Sequence, residues 1–186
     1  KTVAANIKSE GRTELSKLLG AQPEQISFCQ GTADAINTIA RGIDWRVGDN
    51  LIVGDIEFAA NVYPWLALKF LGVEGRFARS QNGRLPVESY TPLIDSRTRL
   101  ISVSHVQYLT GYRTDLEAMS ELCSKHSLLL VVDAIQSAGC MKIDLSKYKI
   151  DFMAAGGYKW LIGLAGIGFL YANGAALSQL RNPVLG

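Results

Sequence analysis

The sequence predicts a three-layer α/β/α sandwich built on a mainly parallel sheet. Three observations point there. Short apolar runs alternate with longer amphipathic ones along most of the chain. The short runs, such as Leu128-Leu129-Leu130-Val131-Val132, are continuous rather than alternating, which suits strands covered on both faces. The 186 residues, 48% hydrophobic and 19% charged, are enough for one well-buried domain and too few for two comfortable ones.

Taken in order, residues 2–19 read as a helix, with Leu15, Leu18 and Leu19 at helical spacing and Gly20 as its stop. Residues 25–29 read as a short strand and 33–41 as a helix carrying Ala35, Ile36, Ile39 and Ala40 on its apolar side. Residues 50–53 form a buried-type strand. Residues 59–71 follow as a helix in which Pro64 must lie near the first turn, because its ring and missing N–H disrupt a helix interior. A strand over 73–78, a turn at Gln81-Asn82-Gly83 and a weak helix over 86–94 come next. Residues 100–104 are a strand, and 114–126 a helix capped by Thr114 or Asp115. Strands over 127–132, 151–155 and 167–171 and a last short helix over 175–180 complete the pattern. No repeat, low-complexity tract or linker interrupts it, so residues 1–186 are taken as one domain.

Composition narrows the function. Nineteen basic residues are scattered among seventeen acidic ones, for a net charge of +2, so no face is built for nucleic acid or an anionic membrane. Cys29, Cys123 and Cys140 lie far apart without C-x-x-C spacing, which argues against a disulfide framework or a zinc site and for reduced thiols in a cytoplasmic protein. The longest apolar stretch, residues 160–172, is too short to cross a membrane and is broken by Gly163, Gly166 and Gly168. No signal peptide opens the chain, and a first residue of Lys1 rather than Met implies trimming at the start.

In open parallel sheets ligands bind beyond the carboxyl ends of the strands, so the polar residues placed there are the candidates. Gly31-Thr32-Ala33-Asp34 opens a helix directly after a strand. Free amides and the positive end of the helix dipole favour a phosphate there, although an ordinary cap has the same look. Asp133 ends a buried apolar strand, where a carboxylate needs a partner such as a protonated pyridine nitrogen, and Gln136 stands three residues on. A loop Asp capping the next segment is the plain alternative. Lys159 lies in Gly156-Gly157-Tyr158-Lys159-Trp160, with small residues beside it, as a Schiff-base lysine requires. A snorkelling surface lysine would read alike. Phe58, just after the 50–53 strand, is a ring that could stack on a flat cofactor or simply join the core. His105 ends a strand and is either a ligand contact or a satisfied structural histidine. The glycine-rich run Gly163–Gly168 precedes a strand, so it fails the context of a dinucleotide fingerprint and reads as a tight turn near a phosphate.

In order and spacing these signals resemble the class V aminotransferase family of pyridoxal 5'-phosphate (PLP) enzymes, fold type I, which includes the cysteine desulfurases. Ser104-His105-Val106-Gln107, Val131-Val132-Asp133-Ala134-Ile135-Gln136-Ser137, and Gly157-Tyr158-Lys159-Trp160 followed by Gly166-Ile167-Gly168 carry the likeness. It implies Lys159 as the Schiff-base lysine and proton carrier, Asp133 on the pyridine nitrogen, and Gln136 on the ring hydroxyl. It further implies Gly31, Thr32 and Ala33 around the phosphate with a hydroxyl from Tyr158 or Ser137, Phe58 on the ring face and Gln107 at the cofactor. Family members are about twice this length and dimeric, so the resemblance implies the large domain alone, acting on an amino-acid substrate as part of a homodimer. The best-known desulfurases carry His where Phe58 stands and Ser-x-His-Lys where Gly156-Gly157-Tyr158-Lys159 stands, and none of the three cysteines matches their persulfide position. Transamination is therefore the expected reaction, with a carbon–sulfur or selenocysteine lyase, a desulfurase or an epimerase as the alternatives. A non-catalytic cofactor-binding domain, or a nucleotide-binding protein using the Gly163 turn, are the readings of another class.

Overall fold

A computed structural model describes residues 3–181. Seven strands form one sheet: β1 (Ile26–Cys29), β2 (Asn50–Gly54), β3 (Glu74–Ala78), β4 (Thr98–Ser104), β5 (Leu129–Asp133), β6 (Phe152–Gly156) and β7 (Gly168–Ala172). Their spatial order is β1-β7-β6-β5-β4-β2-β3. From β3 across to β6 every pairing is parallel. Strand β7 is antiparallel to both β6 and β1, and the two reversals restore the direction of β1. The carboxyl ends of β1, β2, β4, β5 and β6 therefore share one edge of the sheet.

Alternation along these apolar strands fills two separate cores. Leu51, Val53, Val131 and Phe152 meet Ala35, Ile36 and Ile39 of helix α2 (Thr32–Gly42), together with Trp65 and Leu68. Their neighbours Ile52, Leu130, Val132 and Met153 face the opposite way, against Leu19 of helix α1 (Val3–Leu19) and Met119, Leu122 and Cys123 of a further helix, Leu116–Lys125. Helices cover both faces, as the unbroken Leu/Val runs require.

The differences from expectation have local causes. Thr2, the expected start of the first helix, lies outside the described residues. Residues 59–71 do not form one helix but a 3-10 turn (Ala59–Asn61), helix α3 (Tyr63–Leu66) and a second 3-10 turn (Ala67–Leu71). Pro64 occupies the first turn of α3, and its ring would collide with the carbonyl of residue 60 in a continuous helix. Residues 86–94 give two 3-10 turns, Val87–Ser89 and Thr91–Leu93, the second opened by Pro92. The helix Leu116–Lys125, α4, is capped by Asp115, whose Oδ1 accepts the Ala118 amide at 3.1 Å, while the Thr114 hydroxyl donates to the Ser104 carbonyl at 2.7 Å. Ser127 adopts φ +56°, closing α4 rather than opening a strand, so β5 begins later, at Leu129. A short helix α5 (Gly174–Leu177) follows Asn173, whose side chain accepts the Ala176 amide at 2.7 Å.

Candidate active site

The carboxyl edge of the sheet holds a cavity of about 320 Å³, walled by Gly31, Thr32, Ala33, Phe58, Asp133, Tyr158 and Lys159 among others. Residues far apart in the chain meet there because β1, β2, β5 and β6 all end on that edge.

The start of α2 forms the end suited to an anion. Thr32 and Ala33 stand in its first turn, where backbone N–H groups have no intrahelical acceptor and the dipole favours negative charge. The Thr32 hydroxyl accepts the Gly156 amide at 2.9 Å, which ties α2 to the end of β6 and leaves the hydroxyl proton available to an oxygen in the cavity. Asp34 turns its Oδ2 to the Gln30 amide at 3.0 Å. The glycine-rich run closes against this corner: a Cβ on Gly168 would lie 2.8 Å from the Gly31 Cα, so only glycine permits the approach.

Asp133, the last residue of β5, is only 2% exposed. Its Oδ1 accepts the Ile135 amide at 2.9 Å. Burial pushes its carboxyl up to about 7; the Ile135 amide opposes the rise, the charge of Glu57 adds to it, and Lys159 opposes it. A carboxyl in this position is stabilised as an anion by any cationic donor that enters beside it.

Lys159 follows the neighbouring strand β6 by three residues, and because Asp133 pairs with Ala154 across the two strands, acid and amine leave the sheet side by side. The lysine is half-buried, with Nζ 6.0 Å from the centroid of the Phe58 ring. Its loop is folded back tightly. The Gly157 amide donates to the Ile167 carbonyl at 2.7 Å, and the Gly163 amide to the Gly157 carbonyl at 2.8 Å. The ring of Tyr158 lies over Gly156, where a Cβ would come within 2.9 Å of it. Gly139 takes φ +101°, and a Cβ there would fall 2.3 Å from the Trp160 carbonyl oxygen. Gly139→Ala is accordingly expected to lower stability by about 1–3 kcal/mol, through the backbone conformation and the displaced loop together. A melting temperature equal to that of the wild type would refute this.

Phe58 is 47% exposed and meets Tyr108 edge-to-face, with ring centroids 5.1 Å apart at 75°. Two expected residues stand elsewhere. Gln107 is buried behind the wall, with its Nε2 on Glu57 at 2.6 Å rather than among the residues that line the cavity. Gln136 is half-buried on the loop after Asp133, also outside the lining. His105 faces a separate cavity with Arg113 and Tyr148, its Nδ1 2.9 Å from the Ser137 hydroxyl. Burial, and secondly Arg113, push it down to about 4, so it is neutral at pH 7. Glu57, buried beside Phe58, carries no clear sequence signal; the one hint is Asn61 four residues later, on which it depends. Among the described residues no group of three or more His, Cys, Asp or Glu is placed to hold a metal ion, and no helix is long and apolar enough to cross a membrane.

A parallel sheet whose carboxyl edge gathers a helix start, a buried acid and a lysine is the arrangement that a PLP-binding domain requires. The comparisons with known proteins agree. The model of the family described as "Aminotransferase class-V" matches residues 1–186, and the chain belongs to that family. It is 32% identical, over 95% of its length, to a probable cysteine desulfurase of Methanothermobacter thermautotrophicus, covering 44% of that protein. It is 35% identical, over 91% of its length, to the uncharacterized aminotransferase YcbU of Bacillus subtilis, covering 45% of it. Among solved structures, the apo cysteine desulfurase of Thermococcus onnurineus superposes with a TM-score of 0.92 at 28% identity, over 98% of this chain and 46% of that one. The cystine C–S lyase C-DES in complex with cysteine persulfide superposes with a TM-score of 0.87 at 26% identity, over 97% of this chain and 51% of that one. The chain thus spans about half the length of the relatives it matches.

Proposed function

We propose that this chain is the PLP-binding large domain of an enzyme that transforms amino acids, with transamination as the reaction. The observation that carries the reading is that Asp133 and Lys159, delivered by adjacent strands, wall one cavity with the start of α2. When bound, PLP supplies an aldehyde that condenses with amines and a cationic ring that withdraws electrons from a substrate Cα. The residues present fit it. Thr32 and the Ala33 amide take the phosphate. Asp133, an acid without a cationic hydrogen-bond donor of its own, holds a proton on the ring nitrogen. The Phe58 face covers the ring, and Lys159 provides the amine and then carries the Cα proton. Gly31, Tyr158 and Gln136 are proposed at the cofactor as well, Gln136 after a change of side-chain rotamer, and Gln107 is proposed to act there through Glu57.

Desulfuration or another carbon–sulfur cleavage is the second reading, favoured by relatives described as cysteine desulfurases and by the neighbour bound to cysteine persulfide. Formation of alanine from cysteine, against formation of a keto acid from an amino-acid donor, separates the two. Five large apolar side chains between residues 158 and 167, Tyr158, Trp160, Ile162, Leu164 and Ile167, are half or more exposed beside the cavity, which supports a homodimer. Three unpaired cysteines suit a cytoplasmic, reducing setting.

The test is covalent. PLP added to the purified protein should turn it yellow, and borohydride followed by peptide mapping should place the adduct on Lys159. An adduct on another lysine would overturn the assignment.

A further inference from the structure

We propose that Glu57 is a positioning residue for the cofactor: its buried carboxylate clamps the segment carrying Phe58 to the segment carrying Tyr108, and so sets the aromatic wall of the cavity. The inference rests on the PLP reading of that cavity and concerns a residue that lies outside the lining.

Glu57 is 7% exposed, so its charge is costly unless every oxygen is satisfied. Four donors do this. Oε1 accepts the Ser104 amide at 2.8 Å and Gln107 Nε2 at 2.6 Å. Oε2 accepts Asn61 Nδ2 at 3.0 Å and the hydroxyl of Ser104. Asn61, fully buried, is held in turn, because its Oδ1 accepts the Ser102 hydroxyl at 2.6 Å and Trp65 Nε1 at 3.2 Å.

The donors come from two places. Asn61 belongs to the segment after β2, whereas Ser104 and Gln107 belong to the end of β4 and the loop beyond it. Among the described residues no backbone–backbone hydrogen bond joins the 55–61 segment to the 104–109 segment; the side chain of Glu57 makes their polar connection, and Asn61, held by Ser102 of β4, braces it. Phe58 is the next residue after Glu57, and Tyr108 the next after Gln107. Their edge-to-face contact is therefore fixed from behind by one carboxylate. A ring that must cover a flat cofactor at van der Waals distance gains from such pre-organisation, because less conformational freedom is lost on binding.

Glutamine in place of Glu57 keeps the shape but presents one NH2 where an oxygen stood. That group then faces either the Ser104 amide or Asn61 Nδ2, and neither can turn away. Only Gln107, whose own Oε1 is buried without a partner, and the Ser104 hydroxyl can. At least one donor–donor conflict follows, and the clamp loosens.

A double-mutant cycle in the full-length enzyme decides the matter, with the PLP dissociation constant of the cofactor-free protein as the readout. Glu57→Gln is expected to weaken PLP binding about tenfold when Phe58 is present, but less than about twofold in the Phe58→Ala background. A tenfold loss that persists in the Phe58→Ala background overturns the proposal, because a purely structural role is additive. So does unchanged affinity in Glu57→Gln. Should Glu57→Gln not fold, Gln107→Ala removes one of the four donors and goes through the same cycle. A loss of about threefold that disappears in the Phe58→Ala background supports the clamp, and an additive loss refutes it. Wild-type protein that does not bind PLP overturns the cofactor reading itself, whereas wild-type binding with an additive cycle overturns only the role of Glu57.

Discussion

Lys159→Ala in the full-length enzyme is expected to abolish turnover, by about 10⁴-fold or more, and to remove the borohydride-fixable cofactor, while the melting temperature barely moves. The two halves of this expectation have separate grounds. Lys159 is half-buried on a loop, forms no ion pair among the described residues, and touches the aromatic wall only at the outer limit of a cation–π contact, 6.0 Å from the Phe58 centroid. Its removal therefore takes little from the fold. The chemistry depends on it wholly, because among the described residues no second lysine lines the cavity. Lys159→Arg sharpens the test: it keeps the positive charge beside Asp133 and over Phe58 but replaces the nucleophile by a guanidinium that does not condense with an aldehyde. The arginine variant should be as inactive as the alanine variant. Turnover retained in either one would mean that the amine at work lies elsewhere.

The parts of this site visible in the sequence were those announced by a strand. Asp133 and Lys159 stand directly after buried apolar runs, and Thr32 stands where a strand gives way to a helix, so order along the chain already placed them at one edge. The antiparallel run of β7 was not legible, since continuous apolar strands look alike in either direction. The fragmentation of residues 59–71 was only half legible. Pro64 signalled a helix start, but the demand placed on Asn61 by Glu57 and Ser102 comes from tertiary contacts. Glu57 itself was hidden for the same reason: its decisive donors lie 47 and 50 residues away. Gln107 illustrates the same limit from the other side. A glutamine beside a site looks like a ligand contact in the sequence, whereas the buried carboxylate next to it has the stronger demand for its amide.

Asp133→Asn should have opposite effects on rate and on stability. Asparagine cannot hold a ring nitrogen protonated, and the expected loss in turnover is about 100-fold or more, with PLP still bound through the phosphate end of the cavity. In the cofactor-free protein the same change should stabilise the fold at neutral and alkaline pH. The carboxyl of Asp133 is pushed up to about 7 from an ordinary 3.8, chiefly by burial. Between those values the unfolded chain releases a proton that the folded chain keeps. Stability is therefore fully present below about pH 4, falls as pH rises toward 7, and stays diminished above it, by a few kcal/mol. The asparagine is neutral throughout and can still accept the Ile135 amide through its oxygen. Melting curves of the cofactor-free proteins at about pH 8 should show the variant the more stable, with the gap closing as pH falls toward 4. A gap independent of pH would mean that the buried charge is not its source. PLP should reverse the order, because a cationic ring nitrogen supplies the partner that the carboxylate lacks, and the wild type gains more from it. The acid thus weakens the empty domain in order to hold the loaded one, a trade expected only where the charge is kept for chemistry.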